Sequence, residues 1–135
     1  MAWVEIFAVF VVSHALGDYL LQTDWQATHK RGGLGRDRNA RMALLSHVLS
    51  YTLAFVPAGV WLATSEGGLG ALGLALLAVA IYVPHMIQDD GRLLTRYMEV
   101  VKGDGAAEAV FTAVDQSFHL IILFCTALVV HAGTV

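Results

Sequence analysis

Three pairs of histidine and aspartate stand four residues apart: His14 with Asp18, His85 with Asp89 and, in reverse order, Asp115 with His119. Residues four apart on a helix share a face, with roughly 5–6 Å between Cβ atoms, so each pair can aim an imidazole nitrogen and a carboxylate oxygen at one place. Such donors, without thiolate, suit zinc, iron or manganese. His47 adds a seventh donor. Seven exceed the four of a tetrahedral site but fit two metals with a bridging Asp and open positions for water. With one metal, three or four histidines bind it and the carboxylates orient the imidazole N–H groups.

The elements that must position these donors are membrane helices. Of the 135 residues 57% are hydrophobic and 14% charged, and mean hydropathy is +0.65, so little is left for a soluble domain. A helical span needs about 20 mostly apolar residues. Four such runs occur, at about 3–23, 42–64, 69–89 and 108–131. The expectation is a single all-α domain, a polytopic four-helix membrane bundle. Met1-Ala-Trp-Val-Glu5 lacks the basic start of a signal peptide, so the first run is expected to remain a span. Pro57 is expected to kink the second run, and Pro84 to bend or open the third beside His85. Trp3, Trp25, Trp61 and Tyr97 read as interface anchors. The net charge of −3 gives no reason to expect nucleic acid, and the single Cys125 allows no internal disulfide.

Chain direction sorts the donors into layers. The connector 29–41 holds five basic residues and one acid, which places it in the cytoplasm by the positive-inside rule. The connector 90–107, with Arg92, Arg96 and Lys102 against Glu99 and Asp104, follows less emphatically, and both chain ends then lie outside. The first and third runs descend reading His then Asp, and the fourth ascends reading Asp then His. Each Asp should therefore sit nearer the cytoplasm, with its His about 6 Å deeper. His47, near the start of the ascending second run, joins the deeper layer. An Asp at such depth costs about 2.5–3.5 kcal/mol near a helix centre and less toward the interface, so these groups should face inward and be balanced by a cation. Bland readings stand beside this one: polar residues in spans also serve as interhelical hydrogen-bonding glue or proton paths.

Other residues carry weaker expectations. His29 and His131 read as incidental, and Asp24 and Asp90 as solvated acids near the mouth or as ligands of substrate or a second metal. Gln22 and Gln116 could support the ligands as hydrogen-bond partners. Gly70, Ala71, Gly73, Ala75 and Ala78 form a small-residue face through which a homodimer could pack.

The segments His14-Ala-Leu-Gly-Asp18-Tyr-Leu-Leu-Gln22-Thr-Asp24-Trp25, Ser46-His47, His85-Met-Ile-Gln-Asp89 and Asp115-Gln116-Ser-Phe-His119 resemble the small bacterial membrane proteins grouped as domain of unknown function 3307. The likeness covers most of the chain. It implies a multi-pass protein of the bacterial cytoplasmic membrane and brings no known activity.

Three functions are compatible with these residues. The first is a metal-dependent hydrolase of a lipid or lipid-linked ester, phosphoester or amide. There His14, His47, His85 and His119 bind metal, Asp18 or Asp115 bridges, Asp89 and Asp18 are the candidate catalytic carboxylates with Asp89 foremost as general base, and Arg92 and Arg96 hold an anionic headgroup. The second is a divalent-metal or proton carrier or sensor, although Val4–Ser13 and Leu120–Val130 offer an ion almost no polar steps across the outer half. The third is a structural protein whose polar core fixes helix register.

Overall fold

A computed structural model describes residues 1–103 and 107–134; Asp104, within the second basic connector, lies outside the described residues. The described chain is all-helical, with α1 at Trp3–Ala15, α2 at Asp24–His29, α3 at Arg38–Leu53, α4 at Val56–Thr64, α5 at Ala71–Asp89, α6 at Arg92–Tyr97 and α7 at Glu108–Gly133. π-Helical turns at Leu16–Leu20 and Met98–Lys102 prolong α1 and α6. Four helical stretches are long and apolar enough to cross a membrane: Trp3–Leu20, Arg38–Thr64, Ala71–Asp89 and Glu108–Gly133. Each packs against its two neighbours, the first span on α7 through α1 and on α3 through its π-helical turn, and α5 on α3 and α7, closing a four-membered bundle.

Local chemistry explains where the spans depart from the apolar runs. The second begins a turn earlier than Met42 because Asp37 caps α3, its Oδ1 accepting from the Asn39 and Ala40 N–H groups at 2.8 and 3.3 Å. It breaks at Ala54–Phe55 and restarts as α4 with Pro57 in the first turn, where the missing N–H costs no hydrogen bond. The expected kink is thus a short interruption. By contrast α5 runs unbroken through Pro84. The first span stops at Leu20, and Thr23 and Gln26 form a capping box that starts α2.

The two sides of the bundle differ. One half holds an apolar core that includes Ile6, Phe10, Phe55, Leu77, Ile81 and Leu123. The other half holds the His and Asp residues and is roofed by both basic connectors, which Asp90 ties together. The Asp90 carboxylate accepts from the Leu34 N–H at 2.7 Å and from Arg92 Nε at 2.6 Å, while its carbonyl accepts from the Gly32 N–H at 2.8 Å. Gly33 lies so close to α3 that a Cβ there would stand 2.6 Å from Leu44 Cβ.

Burial pushes the Asp90 carboxyl up, but Arg92 and the Leu34 N–H outweigh it and hold the group below its ordinary range. A depressed carboxylate pKa adds stability that is complete above the unfolded-state value of about 3.9 and fades as pH falls through the lower folded value. Asp90→Ala is therefore expected to lower the unfolding midpoint at neutral pH by an amount corresponding to about 1–3 kcal/mol. Its deficit against the wild type should shrink as pH falls below about 4, which thermal unfolding in detergent across a pH series measures.

Candidate metal centre

The site is assembled from all four spans. His14, His47, His85 and His119 are buried, as are Asp18 and Asp89, whereas Asp115 is half-buried. The histidine rings form a continuous chain, with centroids 5.3 Å apart from His14 to His119, 4.8 Å from His119 to His85 and 5.1 Å from His85 to His47.

Within this chain Asp18, His47, His85 and Asp89 offer ligand atoms that lie within 4.8 Å of one another and could hold a metal ion. His47 Nε2 stands 3.1 Å from Asp18 Oδ1, 2.8 Å from Asp89 Oδ2 and 3.1 Å from His85 Nε2. His85 Nε2 stands 3.6 Å from Asp18 Oδ1 and 3.2 Å from Asp89 Oδ2. A tetrahedron with metal–ligand bonds of ~2.0–2.1 Å has edges of roughly 3.3–3.4 Å, a length that these five separations bracket.

His119 supplies a second test of fit. Its Nδ1 lies 2.9 Å from the Asp115 carbonyl, which can only accept, so Nδ1 carries the proton and Nε2 of the neutral ring holds a lone pair. That Nε2 is buried without a hydrogen-bond partner and stands 3.5 Å from Asp89 Oδ1. Two lone-pair atoms facing each other in a dry site are satisfied by a cation between them or by a second proton on the ring. Asp89 therefore presents one oxygen to His47 and His85 and the other to His119.

His14 is occupied differently. Its Nε2–H donates to Gln116 Oε1 at 2.9 Å, and its Nδ1 accepts from the Tyr51 hydroxyl at 3.0 Å. Gln116 Nε2 in turn donates to Asp18 Oδ2 at 3.2 Å. Tyr51, His14 and Gln116 thus form a relay that orients the Asp18 carboxylate, with both nitrogens of His14 engaged within the protein. Tyr51 also stacks on His85, centroids 3.3 Å apart and planes 5° from parallel, fixing that ring by packing while its Nδ1 stays unpartnered.

The π-helical turn brings the first span into this arrangement. In it the Leu21 N–H reaches back to the Leu16 carbonyl at 2.9 Å, and Gly17 allows the turn to press against Tyr51 of α3. Single π-turns inside helices recur at functional sites because they redirect side chains.

Sequence reasoning missed Lys30. Its Nζ donates to Asp89 Oδ2 at 2.8 Å from the connector after α2, making it the one lysine or arginine ion-paired to the cluster among the described residues. Arg92 instead pairs with Asp90, and Arg96 lines a separate basic cavity with Arg31 and Arg92. Asp24 begins α2, and Gln22 Nε2 is buried without a partner at the cavity above the cluster.

Two cavities meet at the site. A polar one of about 240 Å³ is lined by Asp18, Asp89, Lys30, Arg31, Gln22 and Gln116 among others. An apolar groove of about 320 Å³ between α5, α6 and α7 is lined by Pro84, Leu93, Tyr97, Phe118 and Ile122. Gln88, Leu94 and Asp115 line both, so Asp115 stands where they join.

A family model described as "Protein of unknown function (DUF3307)" matches residues 6–134. No curated protein matches, and no solved structure matches.

Proposed function

Because the chain belongs to the DUF3307 family, a grouping that brings no activity with it, we propose a function from the site alone: a metal-dependent hydrolase acting on a lipid or lipid-linked substrate at the cytoplasmic face of a bacterial membrane. One observation carries this reading. A buried pair of histidines and pair of aspartates lies against a polar cavity, lined by both aspartates, that adjoins an apolar groove on the flank of the bundle. Water-soluble substrates need no such groove, whereas an amphiphile needs both compartments.

The chain's own groups divide the work. Asp18, His47, His85 and Asp89 hold the ion, and His14 and Gln116 keep Asp18 in orientation. Lys30 offsets one carboxylate charge, leaving the ion to balance the other. A bound metal supplies Lewis-acid polarisation and lowers the pKa of its water toward about 7. Asp89 is engaged by Lys30 and His47, so the general base in this scheme is Asp115, which faces both cavities and whose Oδ2 accepts from Gln116 at 3.5 Å. Against a carrier stands the apolar core over the other half of the bundle, which offers an ion no polar step.

The test is hydrolysis of lipid esters and phosphoesters by detergent-purified protein before and after removal and restoration of zinc or manganese. Activity should vanish with the metal and return with it. Asp115→Asn should lower kcat by about 100-fold or more while leaving metal content unchanged. Full activity in metal-free protein would exclude the proposal.

A further inference from the structure

The polar cavity carries a second kind of chemistry that the metal donors do not use. Arg31 lies over the Phe111 ring, its guanidinium carbon 4.3 Å from the ring centroid, and has no carboxylate partner among the described residues. Such stacking holds a guanidinium in place while leaving its N–H fork open. The Gln22 Nε2 donor is buried and unpartnered on the same cavity, and Lys30 Nζ lies at its floor beside Asp89. Three donor side chains, two of them cationic, therefore border one space. Of the three carboxylates lining the cavity, Asp89 is engaged by Lys30 and His47 and Asp18 by Gln116 and His47, while Asp115 stands at the border with the groove.

We propose that this cavity binds the phosphate of a phospholipid-type substrate through Arg31, Lys30 and Gln22, with an acyl chain lying in the adjoining α5–α6–α7 groove. This rests on the hydrolase reading for its reaction but not for its binding. A buried amide donor without a partner and a stacked, carboxylate-free guanidinium both call for an acceptor-rich anion, and planar N–H forks match phosphate oxygens in pairs. The cavity of about 240 Å³ has room for a phosphate group. The groove begins where the cavity ends, at Leu94 and Asp115, and its walls are the apolar and aromatic side chains an acyl chain requires. It opens on the flank of helices long and apolar enough to cross a membrane, so hydrocarbon is the neighbour that fills it. Arg31 borders the outer basic cavity as well, but Arg92 and Arg96 line only that outer one, and Arg92 already pairs with Asp90.

Zinc-loaded protein in neutral detergent, assayed by native mass spectrometry, separates the sources. Dioleoylphosphatidic acid should be retained one to one, and neither dioleoylglycerol, which has the same chains without phosphate, nor inorganic phosphate should be. Arg31→Gln should weaken retention roughly tenfold or more, the scale of one charge-assisted contact, and Ile122→Trp, which fills the groove, should weaken it comparably. Zinc content serves as the control for folding, since neither residue touches the four clustered donors. Equal retention of dioleoylglycerol, equally tight inorganic phosphate, or unchanged retention in Arg31→Gln overturns the proposal. Retention of phosphatidic acid without hydrolysis of any lipid leaves this binding site standing and removes the hydrolase. Metal-dependent hydrolysis of a neutral ester without phosphatidic acid retention does the reverse.

Discussion

Asparagine in place of Asp89 is expected to abolish stoichiometric binding of transition metal. Asp89 Oδ2 lies within 2.8 Å of both His47 Nε2 and Lys30 Nζ and 3.2 Å from His85 Nε2, while Oδ1 faces His119 at 3.5 Å, so one carboxylate joins three spans and a connector. The substitution conserves shape but removes the charge, and it strands the Lys30 ammonium beside a neutral amide. Breaking a buried pair in this way destabilises by about 3–5 kcal/mol. Metal loss and unfolding can be separated by also replacing Lys30 with methionine. The double variant should regain much of the lost stability, because the unpaired Lys30 ammonium is gone, yet should still carry no metal. Elemental analysis and thermal unfolding of the wild type, the single and the double variant give the answer together. Absence of a stoichiometric ion from the folded wild type would mean that the cluster is a hydrogen-bonded polar core, and an ion retained in folded Asp89→Asn would mean that Asp89 is not a ligand.

The second large effect is expected at a residue without a side chain, Gly17, next to Asp18 in the π-helical turn. A Cβ there would lie 2.7 Å from Tyr51 Cδ2 and 3.1 Å from Tyr51 Cα, so the ring cannot simply rotate away; either the first span or α3 must move. Overpacking of this kind costs about 1–3 kcal/mol. Tyr51 is also the residue stacked on His85 and bonded to His14, so its displacement is transmitted to the metal donors. Gly17→Ala should therefore lower both the unfolding midpoint and the metal occupancy. Gly59→Ala is the matched control: its nearest neighbour would be Leu74 Cδ2 at 3.9 Å, and alanine inside α4 should be neutral or stabilising by up to about 1 kcal/mol. Equal behaviour of the two variants would remove the packing argument.

What was legible in the sequence follows from periodicity. The His and Asp pairs sit four apart, and a helix turns their spacing into a common face, so local geometry and the depth of charged groups indicate what must converge. The spans were legible for the same reason, since apolar length is counted directly. Lys30 was not. It reaches Asp89 across 59 positions of sequence, and only the folding of the connector, secured by Asp90 and the close approach of Gly33 to Leu44, brings it there. Tyr51 was hidden because an aromatic residue within an apolar run looks like core packing, which it also is. Gln116 and His14 show the limit from the other side: both are polar and correctly spaced, yet the order of bonds from Tyr51 through His14 and Gln116 to Asp18 depends on tertiary placement. The break at Ala54–Phe55 falls two residues before Pro57 because a proline sits comfortably in the first turn of a new helix.

The apolar core over the other half of the bundle has a further consequence. Ile6, Phe10, Phe55, Leu77, Ile81 and Leu123 make the His and Asp chamber a cul-de-sac. For the proposed lipid hydrolase, substrate and products would both enter and leave on the site's side of this core. Under that proposal the reaction would be one-sided, its direction set by a seal of hydrocarbon side chains.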